Sequence, residues 1–125
     1  MKIAVAGCGV MGAVHVSGYL DIPGVSIVGV HDIDREAMRR LAGIAGAKPY
    51  ESYEEMLEQS GCDAVSIAAS SDMHKPLAIR AAEAGKHVIC EKPIALTLED
   101  AAEMIEACQR RGVRLFVGHV VRYER

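Results

Sequence analysis

Gly7-Cys8-Gly9-Val10-Met11-Gly12 forms a G-x-G-x-x-G pattern between an apolar β-type run, Lys2–Ala6, and a helical one, Val10–Leu20. In that strand–turn–helix setting Gly7 permits the tight turn, Gly9 lets a pyrophosphate approach the main chain, and Gly12 allows close helix–strand packing. The free N–H groups and helix dipole at Val10, Met11 and Gly12 suit a bound anion. Asp32 lies 20 residues after Gly12, with Ile33 beside it. At the end of a second strand, such a carboxylate accepts hydrogen bonds from an adenosine ribose diol. The plainer reading, a glycine turn and an unrelated surface Asp, leaves the joint spacing unexplained. A carboxylate there repels a 2′-phosphate, which favours NAD over NADP, while Arg35 nearby keeps NADP open.

A second group follows a later strand: Glu91-Lys92-Pro93. Pro93 biases Lys92 to an extended backbone and removes a donor, so the strand must end there. A Lys at that end faces the crevice where a nicotinamide would lie. It could orient a substrate hydroxyl or relay its proton; the alternative is a surface Lys beside an acid. Ala69, Ser70 and His74 follow the third strand, with His74 expected on the loop, lining the cleft or capping a helix that begins near Pro76. His119 and Arg122 follow the fifth strand in the same way. Cys8 sits at a helix N-terminus, which can lower a thiol pKa, although a small residue tolerated in a glycine loop accounts for it as well. His15 and His87 have no metal-like spacing, no HExxH or Cys/His cluster exists, and no metal site is expected. Nor does a G-x-S-x-G elbow offer a nucleophile.

These residues need elements to position them. Strand-like runs at Lys2–Ala6, Val25–Val30, Ala64–Ala68, His87–Cys90 and Val113–Val117 alternate with helical stretches at Val10–Leu20, Asp34–Ala45, Tyr53–Gln59, Pro76–Ala84 and Leu98–Arg111. Asp34, Ser52 and Thr97 stand at N-cap positions, and Gly46, Gly85 and Gly112 at helix ends. Strands separated by helices pair in parallel through crossovers, and runs such as VSIVGV and AVSIAA fit strands covered on both faces. The fold class is α/β: a doubly wound parallel sheet, Rossmann-like, in three α/β/α layers. Ligands of such sheets sit at the carboxyl ends of the strands, which singles out Gly7–Gly12, His31–Asp34, Ala69–His74, Glu91–Pro93 and Gly118–Arg122.

Composition limits the remaining choices. The 125 residues suit one domain, with residues 1–120 expected as the nucleotide-binding unit and 121–125 as the start of a connection onward. Half the residues are hydrophobic and a quarter charged, which excludes a disordered or collagenous chain. Lys and Arg total 14 against 17 acids, without a basic block, and aromatics are 4% with no Trp, so nucleic-acid binding is not expected. No stretch approaches a membrane span or signal peptide. Cys8, Cys62, Cys90 and Cys108 are scattered with no CxxC pair, and read as reduced thiols of a cytoplasmic protein.

With these residues in place, the chain resembles the glucose–fructose oxidoreductase/inositol dehydrogenase (Gfo/Idh/MocA) family of NAD(P)-dependent dehydrogenases. The resemblance runs from Ile3 to about Tyr123 and rests on AVAGCGVMG, Asp32, and His74…Ala81-Ala82…Gly85-Lys86-His87-Val88…Glu91-Lys92-Pro93. The GKHV…EKP segment is its most specific part. Ala69-Ser70 stand where the family commonly has Thr-Pro, and Tyr123 where Phe is commoner. The resemblance implies that Lys92 lies near nicotinamide and substrate, and that the Lys92–Pro93 bond is cis. It also implies hydride transfer between the cofactor and a sugar, polyol or related hydroxy compound. Family members continue into a second domain that holds substrate and supplies a further base.

The leading expectation is therefore an NAD-binding domain, with little turnover alone, whose cofactor contacts are Gly7, Gly9, Val10, Met11, Gly12, Asp32, Ile33, Ala69, Ser70, His74, Glu91 and Lys92, with Lys92 catalytic. Two other readings stay open: a stand-alone nucleotide sensor, and the domain of an amino-acid or imine dehydrogenase. Exposed apolar surface left by an absent domain predicts association into a homo-oligomer.

Overall fold

The computed structural model describes residues 1–118. Six strands, β1 (Lys2–Ala6), β2 (Ser26–His31), β3 (Lys48–Pro49), β4 (Ala64–Ile67), β5 (His87–Cys90) and β6 (Leu115–Val117), form one sheet in the order β3-β2-β1-β4-β5-β6. Every pairing is parallel. Five helices connect them: α1 (Val10–Leu20), α2 (Arg35–Ala45), α3 (Tyr53–Gln59), α4 (Ser71–Glu83) and α5 (Leu98–Arg111). The order reverses between β1 and β4, and a crevice opens above such a switch point because neighbouring crossovers leave in opposite directions.

Alternation along β1 divides the core. Ile3 and Val5 join Ile27, Val30, Val16, Met38 and Leu41 beneath α1 and α2. Ala4 and Ala6 face the other way, into a cluster with Val65, Ile67, Val88, Met56, Leu77 and Met104 under α3, α4 and α5. This is the expected three-layer arrangement: the central strands β1 and β4 are buried on both faces because both faces are covered.

Local chemistry sets most helix ends. Asp34 accepts from the amides of Glu36 and Ala37 at 3.1 and 3.2 Å, Ser52 from Glu55 at 3.2 Å, and Thr97 from Asp100 at 3.0 Å. Gly46 and Gly112 close α2 and α5 with positive φ.

Two elements depart from expectation. α4 begins at Ser71 rather than Pro76, so Pro76 lies inside the helix. Its missing N–H deprives the helix of one bond near the start, where buried His74, Leu77 and Ala78 hold the turn by packing. β3 was not expected because it is only Lys48-Pro49, at the edge beside β2 where proline is tolerated. At the opposite edge β6 presents Phe116 and Val117 to solvent. The expected contributions of His119, Arg122 and the boundary at 120/121 lie outside the described residues.

Candidate functional site

The glycine loop is built by contact. An added Cβ on Gly7, where φ is +102°, would stand 2.6 Å from the main chain of Ala68 and Ala69. On Gly12 it would stand 2.0 Å from the carbonyl oxygen of Gly7. On Gly9 it would meet nothing within 4 Å. The loop is thus pressed against β4 below and open above, leaving a cradle that a pyrophosphate would fill. Helix α1 starts at Val10 without a side-chain cap, so its first-turn amides are available to an anion.

Asp32 braces this loop. One carboxylate oxygen accepts the Cys8 amide at 2.7 Å and the other the Asp34 amide at 3.0 Å. The acid expected to read a ribose diol is thereby oriented by the main chain, with lone pairs to spare on a two-oxygen acceptor. Arg35, the residue that kept NADP open, pairs with Glu51 at 2.8 Å across an exposed surface.

Two clefts of about 350 Å³ each share Ala68, Ala69 and Ser70, and form one crevice over the switch point. The first is lined by Gly7, Gly9, Asp32 and Ile33, with His31 and Met73. The second is lined by Met11, His74, Glu91 and Lys92. Val10 instead borders a separate groove between α1 and α2, and only its amide is placed for the cradle. Gly12 lies under the loop as a packing position. The sequence-selected residues therefore assemble along these two adjoining clefts, apart from Val10 and Gly12.

His74 is not on a loop: it lies in the first turns of α4 and is buried. Its Nδ1 faces the carbonyl oxygens of Pro93 and Ile94 at 2.9 and 3.2 Å, and its Nε2 that of Ala69 at 3.1 Å. Its polar atoms clamp the β4–α4 turn to the segment after β5. The Lys92–Pro93 peptide is cis, as the resemblance implied.

Cys8 is buried, and its Sγ lies 3.4 Å from the His31 carbonyl. Burial, then the Asp32 charge, push the thiol up to about 12, which outweighs the helix N-terminus and leaves it a packing residue. Burial and the Glu91 charge do the same to Cys90, also up to about 12. Between the ordinary value of 9.0 and that range, the folded chain holds thiol protons that the unfolded chain has lost, so stability falls as pH rises. The thermal midpoint is expected to drop above pH 9, less steeply in Cys8→Ala. An equal slope in both would refute the burial assignment.

His15 was set aside in the sequence for want of metal-like spacing; the structure places it against Glu91, with Ser66 and Tyr19 behind. Separations of 51 and 76 residues along the chain hide that association. Among the described residues no group of three possible metal ligands occurs, and no helix is long and apolar enough to cross a membrane.

Known proteins share this fold. A family model described as an oxidoreductase family with an NAD-binding Rossmann fold matches residues 1–119. D-apiose dehydrogenase of Paraburkholderia graminis is 39% identical over 98% of this chain and 33% of its own length. Myo-inositol 2-dehydrogenase of Thermotoga maritima is 34% identical over 100% of this chain and 38% of its own. The WlbA dehydrogenase from Bordetella pertussis, solved with NADH and UDP-GlcNAcA, superposes with a TM-score of 0.90 at 36% identity, covering 94% of this chain and 35% of that one. The chain thus spans about a third of the length of the relatives it matches.

Proposed function

The chain belongs to the Gfo/Idh/MocA oxidoreductase family, with its NAD-binding Rossmann fold, and from that premise we propose that it is the cofactor half of a dehydrogenase acting on a sugar or polyol hydroxyl. The observation that carries the proposal is the meeting of the glycine cradle, Asp32 and Lys92 along one crevice. The named activities of the two relatives above supply the substrate class, and they favour this reading over a sensor module or an imine dehydrogenase.

Each residue has a task in this reading. The α1 amides and Gly9 receive the pyrophosphate, and Asp32 accepts from the ribose hydroxyls. Ile33, 94% exposed, and Met73 offer apolar surface beside the adenine end. Ala69 and Ser70 floor the crevice at its midpoint, and Met11 borders the nicotinamide end. Bound NAD supplies a hydride acceptor at the nicotinamide ring. Lys92 donates a hydrogen bond to the reacting hydroxyl and holds it for transfer, while a partner domain contributes the base and most of the substrate contacts. Leu96, Leu98, Phe116 and Val117, exposed after β5, at the start of α5 and at the end of β6, offer apolar surface for the partner domain or a second copy to cover.

Calorimetric titration of the chain with NAD and NADP tests the cofactor assignment. NAD is expected to bind the tighter, because a 2′-phosphate would approach the fixed Asp32 carboxylate while Arg35 is engaged by Glu51. Tighter NADP binding would move the specificity from Asp32 to Arg35. Failure to bind either would overturn the proposal.

A further inference from the structure

Glu91 precedes Lys92, yet it is only 7% exposed and turns inward. Its Oε1 lies 2.9 Å from Nε2 of His15, in the second turn of α1 and without solvent exposure. Nδ1 of the same ring lies 2.8 Å from Ser66 Oγ on β4, and the Tyr19 hydroxyl, one turn further along α1, lies 2.7 Å from that oxygen. One proton assignment serves every member. Tyr19 O–H donates to Ser66, Ser66 O–H donates to Nδ1, and Nε2–H donates to the Glu91 carboxylate. Burial raises the Tyr19 pKa, which keeps the phenol a donor at the head of the chain. Among the described residues, no buried side-chain nitrogen or oxygen lacks a partner.

An apolar group of similar volume would fill this space without the cost of desolvating a carboxylate. What it could not do is fix the carboxylate's direction. Lys92 follows Glu91 directly, just past the end of β5, and its exposed side chain lines the crevice, so the hydrogen bond that holds Glu91 fixes the main chain from which Lys92 projects. His15 sits in the second turn of α1, behind the first-turn amides of the cradle, so the pin on Glu91 can be loosened while those amides stay in place.

We propose that His15, backed by Ser66 and Tyr19, is a positioning residue that pins Glu91 and thereby directs Lys92 toward the reacting hydroxyl. This deepens the functional reading above and rests on the role of Lys92 given there.

Two variants of one residue separate positioning from packing. His15→Gln can retain a donor near the Nε2 position, facing Glu91, whereas His15→Asn retains one near Nδ1, facing Ser66. Ser66→Ala removes a single oxygen and serves as the least disruptive variant. Nitrogen-resolved NMR of the chain is expected to find the His15 proton on Nε2. The Lys92 amide resonance should stay in place in His15→Gln and move in His15→Asn. In the complete oxidoreductase, His15→Asn and Ser66→Ala should lower kcat about tenfold, the scale of one unsatisfied buried polar group. The NAD dissociation constant should not follow, and His15→Gln should retain most of kcat. Equal loss in Gln and Asn variants, or losses in kcat that track NAD affinity and melting temperature, would reduce His15 to a packing residue. A proton on Nδ1 would also overturn the assignment. If the complete protein oxidises no sugar or polyol, the functional reading fails by itself, and the ring proton and Lys92 resonance still decide the role of His15.

Discussion

Lys92→Met is expected to lower kcat of the complete oxidoreductase by about 10²–10⁴-fold, the usual contribution of a positioned proton donor or acceptor. The affinity for NAD should change little, because the cradle and Asp32 lie at the other end of the crevice. Stability should also hold: the Lys92 side chain is exposed, and substitutions of that kind typically stay within about 0.5 kcal/mol. Lys92→Arg should not restore the rate, since a planar guanidinium places its donors differently from a compact ammonium. The measurement is steady-state kinetics beside calorimetry on the same preparations. A variant that keeps full kcat would remove Lys92 from the reaction, and one that loses NAD binding together with kcat would make it a cofactor ligand instead.

The second large effect contrasts two glycines of one motif. In Gly12→Ala the new methyl would stand 2.0 Å from the Gly7 carbonyl oxygen, a backbone atom that cannot step aside without moving the loop. Overpacking of this kind costs about 1–3 kcal/mol or more, and the displaced loop takes the cradle with it. Melting temperature and NAD affinity are both expected to fall. Gly9→Ala has nothing within 4 Å of its Cβ and a negative φ of −81°, so the fold should be unaffected. Yet the methyl would occupy the space reserved for the pyrophosphate, and NAD affinity should drop by tenfold or more, about 1.4 kcal/mol. Thermal melts and titrations of both variants form one experiment. If Gly9→Ala bound NAD like the parent chain, the ligand would have to lie elsewhere.

The parts of the site that were legible in the sequence are those encoded over short spans. The glycine loop, the Asp34, Ser52 and Thr97 caps, and the Lys92-Pro93 strand end each depend on neighbours within a few residues. Asp32 was legible because one strand and one helix separate it from the loop at a nearly fixed distance. The start of α4 was not, because Pro76 is a strong local signal for a helix beginning, and burial of His74 and Leu77 overrides it. β3 escaped notice because two residues, one of them proline, carry no periodicity. The His15–Ser66–Glu91 association could not be read at all: it joins α1, β4 and the end of β5, and only the strand order brings them together. Cys8 shows the opposite failure, where a valid local rule about helix N-termini loses to burial and a carboxylate 24 residues away in the chain.

The unequal edges of the sheet determine its valence. On the β3 side, two exposed residues present a lysine and a proline, and the proline has no N–H to offer an incoming strand. On the β6 side, Leu115–Val117 is paired on one flank with β5, while Phe116 and Val117 remain exposed. Among the described residues, lateral growth of the sheet is therefore favoured on the β6 side. Two copies joined through their β6 edges would turn their proline-bearing β3 sides outward, which disfavours propagation into a fibre.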